Sequence, residues 1–172
     1  MKSFNELLSE TRDLYAGLNN PRKALKNAQR LVDMAPENYE ALNLLGAILY
    51  ELDMEEEAYI YYKKALEFEK NSIEAMEGLI SITNDSEDYE SAIKLADQAI
   101  KLEDKDPYPE FKENPEYHQR LMAQIYIEKA YSLYKMGEIS KSKEVILKTA
   151  KEACPLEKEL FDEEWEILLE EE

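Results

Sequence analysis

The chain has 172 residues, with 39 Asp and Glu against 21 Lys and Arg, for a formal net charge of -18. So acidic a surface would repel a nucleic-acid backbone or an anionic membrane, and neither is an expected direct partner. Leu, Glu, Lys and Ala are abundant while Gly occurs four times and Pro six, a composition that favours helix.

A chain of this length buries roughly 70% of its unfolded surface if it folds as one unit, so one domain over 1–172 is expected. The single cysteine, Cys154, excludes an internal disulfide framework and points to a reducing compartment. Lys2, Asn5, Glu6 and Glu10 interrupt the N-terminus, so neither a signal peptide nor an 18-residue apolar run is visible. A soluble, cytoplasmic protein is expected.

Ser3 and Glu6 form a capping box for a first helix to about Gly17, and Asn20 with Pro21 opens a second, Pro21 to Ala35, closed by Pro36. Next comes Ala41 to Lys70, two amphipathic helical patterns joined by a short acidic turn. Leu42, Leu45, Leu49 and Leu52 recur at helical spacing in the first, with Gly46 beside Leu45; Ala58, Tyr62, Ala65 and Leu66 recur in the second. Gly46, Ala58 and Ala65 leave room where two helix backbones approach. Asp53 with Glu56, and Asn71 with Glu74, are placed as capping boxes for the helices that follow them. The helix after Asn71 runs to about Asn84, and Ser86 to Asp88 turn into another from Tyr89 to Leu102.

The hairpin repeats with a period of 34. Ala58, Tyr62 and Ala65 correspond to Ala24, Ala28 and Leu31 one period earlier and to Ala92, Ala96 and Ala99 one period later. Leu42, Leu45 and Leu49 correspond to Leu8, Thr11 and Tyr15, and to Met76, Leu79 and Thr83. On Leu42, Leu45, Gly46, Leu49, Ala58, Tyr62 and Ala65 the chain resembles the tetratricopeptide repeat (TPR) family, whose unit is a 34-residue helix-turn-helix. Thr11 and Arg12 depart from the family's apolar and small positions, and Lys70 and Asp104 from its closing proline, which Pro36 matches.

The resemblance implies an all-α helix-turn-helix repeat solenoid, a TPR-like right-handed superhelix, with units at about 5–38, 39–72 and 73–106. After Asp104 the period breaks. Lys105 to Asn114 carries two prolines with Pro115 behind, a loop insertion over 105–115. Helix resumes near Pro115, turns at Gly137 and continues from Ile139 to Ala153. This forms a divergent fourth unit, 116–154, with Ser142, Ile146 and Thr149 at the small and large positions. From Pro155 to 172, Phe161, Trp165, Leu168 and Leu169 mark one face of a last, otherwise acidic helix, expected as a solvating cap on the array or as a docking helix.

Chemistry-bearing constellations are lacking. His118 and Cys154 have no nucleophile-base or metal-ligand companion, so a surface imidazole and a small packed thiol are expected. Asp104 and Asp106 lack the Gly and closing Glu of a calcium loop. No enzyme activity, cofactor or metal site is expected.

In the TPR family the first helix of each unit lines a concave groove, and carrying over those positions selects Glu6, Ser9 and Asp13, then Glu40, Asn43, Ala47, Tyr50 and Glu51. It next selects Glu74, Glu77, Ser81, Asn84 and Asp85, and finally Gln124, Ile127, Tyr131 and Tyr134. Lys and Arg gather instead on the second helices, at Arg22, Lys23, Lys26, Arg30, Lys63 and Lys64. The resemblance thus implies an acidic peptide-binding groove with tyrosines toward one end, suited to a Lys/Arg-rich protein or peptide. Solvated carboxylates and core tyrosines would account for the same residues. The family's carboxylate clamp for chaperone tails falls on Ser9, Asp13, Leu44, Glu74 and Gly78, which would repel an acidic tail. An interaction adaptor or dedicated chaperone is the expected function. The alternative is a structural subunit or homo-oligomer joined through Leu160, Phe161, Trp165 and Leu168, and oligomeric state is open.

Overall fold

A computed structural model describes residues 2–16, 21–103 and 115–152. Among them lie eight helices and no strand: α1 (Phe4–Ala16), α2 (Pro21–Met34), α3 (Tyr39–Tyr50), α4 (Glu55–Phe68), α5 (Ile73–Asp85), α6 (Tyr89–Glu103), α7 (Pro115–Lys135) and α8 (Ile139–Glu152). The fold is an all-α helical repeat. The insertion at 105–114, Cys154 and the helix expected from Pro155, with Leu160, Phe161, Trp165 and Leu168, lie outside the described residues.

The helix starts follow local hydrogen bonding. At α1 the Ser3 amide donates to Glu6 Oε2 at 2.8 Å and the Glu6 amide to Ser3 Oγ at 3.3 Å, the reciprocal capping box the spacing predicts. Asn38 caps α3 by accepting from the Ala41 amide at 2.9 Å, and Asp88 caps α6 by accepting from Ser91 at 3.2 Å. Two expected boxes are corrected. Asp53 takes a left-handed φ of 58°, so Met54 becomes the N-cap of α4 with no side-chain hydrogen bond. At α5 the cap is Ser72, whose Oγ accepts from Ala75 at 3.3 Å, while the Asn71 amide donates to Glu69.

Asp53 is pulled into the left-handed region by the end of α3. Its amide donates to the Tyr50 carbonyl and that of Met54 to Leu49, the paired bonds of a Schellman C-cap. Glu87 (φ 61°) repeats the arrangement after α5, with bonds from Glu87 to Asn84 and Asp88 to Thr83. Gly137 (φ 80°) repeats it after α7, with bonds from Gly137 to Tyr134 and Glu138 to Leu133. These turns fall 34 and then 50 residues apart, the regular period followed by the same displacement that separates Ala92 from Ser142.

Packing follows the small-residue register. Ala24, Ala28 and Leu31, then Ala58, Tyr62 and Ala65, then Ala92, Ala96 and Ala99 are all buried, as are Ser142 and Ile146 on α8. Alanine at the closest approach lets helix axes pack without forcing side chains off their rotamers. Thr11, in a position otherwise apolar, is fully buried because its hydroxyl donates to the Leu7 carbonyl at 2.6 Å.

The contacts gather into two compact units, Met1–Ile82 and Thr83–Glu172. In the first, α1 packs on α2, α2 on α3 and α3 on α4, and α1 also touches α3. In the second, α6 packs on α7 and α7 on α8. There Lys129 on α7 reaches Asp97 on α6 at 2.6 Å, and Ser142 Oγ on α8 donates to the Ala130 carbonyl on α7 at 2.8 Å.

Candidate functional site: an acidic and tyrosine-rich helix face

In the first unit the expected groove residues divide by depth. Glu6, Asp13 and Glu51 are exposed; Glu40, Ala47, Tyr50, Glu74 and Glu77 are half-buried; Asn43 and Ser81 are buried. The exposed Ser9 stands one turn from Asp13 on α1. Glu6 is held at the start of α1 by its capping bonds, which keep its carboxyl below the usual range. Glu40 forms an ion pair of 3.3 Å with Arg12 across α1 and α3, so one carboxylate of the series is matched within the fold.

Asn43 lies inside the packing. Its Nδ2 donates at 2.8 Å to Ser72 Oγ, which lies 3.5 Å from Glu74 Oε2. The carboxylate can only accept, so the serine proton goes to Glu74 and Asn43 must present its amide nitrogen to the serine. Asn43 Oδ1 is thereby left buried without a hydrogen bond.

Two tyrosines that the groove positions do not include complete this face. Tyr62, from α4, is 4% exposed. Its ring lies 3.0 Å from where a Cβ on Gly46 would stand, and its tip occupies the place of a Cβ on Gly78. The ring thus enters the gap between α3 and α5 along two glycines, with its hydroxyl end at α5. Tyr15, near the end of α1, is half-buried, and burial followed by the charges of Glu51 and Glu77 pushes its phenol up to about 12. Burial, then Glu77, Tyr15, Tyr50 and Glu51, raises the Tyr62 phenol as well. The phenols of Tyr15 on α1 and Tyr62 on α4 therefore feel the charges of the same two carboxylates. Gly78, a small residue among groove-facing acids, is the sequence signal for Tyr62.

In the second unit Asn84 is engaged rather than open. Its Nδ2 donates to Glu128 Oε2 at 2.6 Å and to the Glu128 carbonyl at 3.2 Å, while its Oδ1 accepts from Ser132 Oγ at 2.6 Å. Gln124 Nε2 donates to Glu128 Oε1 at 3.1 Å. This network ties the end of α5 to α7. Tyr131 is half-buried and meets Tyr89 edge-on at 6.2 Å, with Lys135 5.3 Å from its ring centre; Tyr134 and Asp85 are exposed and Ile127 is half-buried. His118, expected at the surface, is half-buried, and that burial lowers its pKa.

Among the described residues no group of three or more His, Cys, Asp or Glu side chains is placed to hold a metal ion, and no helix is long and apolar enough to cross a membrane.

The comparisons with known proteins agree on the fold. The tetratricopeptide repeat profile matches residues 13–72, from within α1 to the cap of α5. No curated protein matches the sequence. Among solved structures, PilF of Pseudomonas aeruginosa is similar with a TM-score of 0.67 and 17% identity over 87% of this chain, which spans 63% of that one. A MamA protein gives 0.66 and 15% over 87% of this chain and 72% of its own. A tetratricopeptide repeat protein of Parabacteroides merdae gives 0.66 and 22% over 90% of this chain and 54% of its own. At such identities these likenesses bear on the fold alone. The helix pairs in both units are built on small-residue packing and Schellman turns, and the match to the tetratricopeptide repeat profile at 13–72 spans the pairs of the first unit up to the cap of α5.

Proposed function

We propose that the chain is a non-enzymatic adaptor or dedicated chaperone of the cytoplasm that binds a Lys/Arg-rich segment of a partner protein on the first-helix face of its first unit. A protein-interaction scaffold is what the repeat profile implies. The basic character of the partner rests on one observation: Glu51, Glu74 and Glu77 share this face with tyrosines, and the cation contributed from α1, Arg12, is engaged by Glu40. A cationic segment gains from carboxylates mainly in encounter rate and specificity, and from aromatic faces in short-range contact. PilF, MamA and the structure of Naa15/Naa10 bound to HypK share the fold, and the last is by its description a protein assembly, in keeping with a protein partner here.

The test is fluorescence anisotropy of a labelled Lys/Arg-rich peptide and of an Asp/Glu-rich peptide of equal length. Binding of the basic peptide alone, weakened by added salt, supports the proposal. Equal binding of both, or of neither, contradicts it.

A further inference from the structure

Helix α2 carries charge of the opposite sign to the chain around it. In a sequence of net charge -18 it holds Arg22, Lys23, Lys26 and Arg30 against Asp33. Helices α1 and α3 to α7 each have glutamate in the first turn, where the helix dipole favours a carboxylate, whereas α2 has Arg22 and Lys23 there. Arg22, Lys26 and Arg30 recur at every fourth residue on the side away from the buried Ala24, Ala28 and Leu31, and all three are exposed. Among the described residues none of the three makes an ion pair or hydrogen bond. Lys23 is matched, by Glu10 at 3.2 Å. Asn27, between Lys23 and Arg30 along the helix, is buried with no acceptor for its Nδ2, so the fold adds no further oxygen on this flank.

A row of three unmatched cations spanning about 12 Å along the helix calls for carboxylates at the same spacing. A nucleic-acid strand runs on beyond such a row, and the acidic remainder of the surface repels its phosphates. A flexible acidic peptide meets the same repulsion and also loses chain entropy on ordering. A preformed helix with Glu or Asp at every fourth position presents its carboxylates at the matching pitch of about 6 Å and touches the row alone. We propose that Arg22, Lys26 and Arg30 form a docking row for an acidic helix of a partner protein. This stands apart from the basic segment on the first-helix face, and it supplies the second contact that an adaptor needs to bridge two proteins.

Fluorescence anisotropy with a stapled helical peptide carrying Glu at i, i+4 and i+8 tests it, beside the same peptide with Gln at those positions. The unaltered chain should bind the Glu helix and not the Gln helix. Lys26→Glu with Arg30→Glu should weaken that binding by about tenfold or more with an unchanged melting curve, since both residues are exposed and unpaired. The same variant should not weaken hexalysine binding, which separates this row from the first-helix face. If the double reversal does not fold, Lys26→Ala with Arg30→Ala carries the same direction of change. Equal binding of the Glu helix by chain and variant overturns the proposal, as does absence of that binding. So does a single-stranded RNA that the unaltered chain binds, the variant does not, and the Glu helix fails to displace.

Discussion

The ring tip of Tyr62 occupies the space that a Cβ on Gly78 would need. A side chain from the second helix of one pair is therefore admitted by a missing side chain on the first helix of the next. The relationship is specific, because the built Cβ would stand 2.7 Å from Tyr62 Cε1 and closer still to two other ring carbons, distances that no small adjustment relieves.

Gly78→Ala should accordingly destabilise the chain by about 1–3 kcal/mol, the usual cost of overpacking. In a Tyr62→Ala background the same change should be neutral or stabilising by up to about 1 kcal/mol, since alanine is the better helix former once the ring is gone. Denaturant unfolding of the four proteins in the cycle measures the coupling. Additive effects would show that the ring and the glycine are independent.

Asn84→Ala should cost about 1–3 kcal/mol, because it removes the donor to Glu128 Oε2 and the acceptor of the Ser132 hydroxyl. The effect should be local. Hydrogen exchange should rise in α7 and at the end of α5 while α2 and α3 keep their protection.

Loss of the α3 cap is a milder test. Asn38→Ala removes the acceptor for the Ala41 amide and should cost about 1 kcal/mol, while Asn38→Gly costs a few tenths. Thermal melts of the two variants should therefore separate.

Alkali provides a check on the buried phenols. Tyr15 and Tyr62 both have folded-state values raised above the ordinary 10.0, Tyr15 to about 12. A raised value means that the stability these groups contribute is full below pH 10 and declines as pH rises toward 12 and beyond. Urea midpoints measured upward from pH 9 should fall through this window, and less steeply in Tyr62→Phe. An identical decline in that variant would show that the phenol is not the group responsible.

Much of the fold was legible from the 34-residue recurrence, because Ala24, Ala58 and Ala92 must be small wherever helix axes come closest. The two helix caps that differed, at Asp53 and Asn71, were set by the preceding turn. A Schellman bond pair claimed Asp53 for a left-handed conformation, which a capping-box pattern in sequence does not register. The face was legible in its charges and less so in its depth. Asn43 and Asn84 stand at expected groove positions, yet long-range bonds to Ser72 and to Glu128 and Ser132 draw both into the interior. Tyr62 carried the periodic signature of a core residue and is one. That its ring tip reaches α5 depends on Gly78, sixteen residues further on and on another helix.

The account turns on whether a basic segment binds the first-helix face of the first unit. Its most direct measurement is the affinity of hexalysine for the unaltered chain and for Glu40→Lys with Glu77→Lys, at low and raised ionic strength, beside melting curves of both. Binding that weakens steeply with salt and is lost in a reversal variant of normal stability is the predicted result. Equal binding by both proteins, insensitive to salt, would contradict the account.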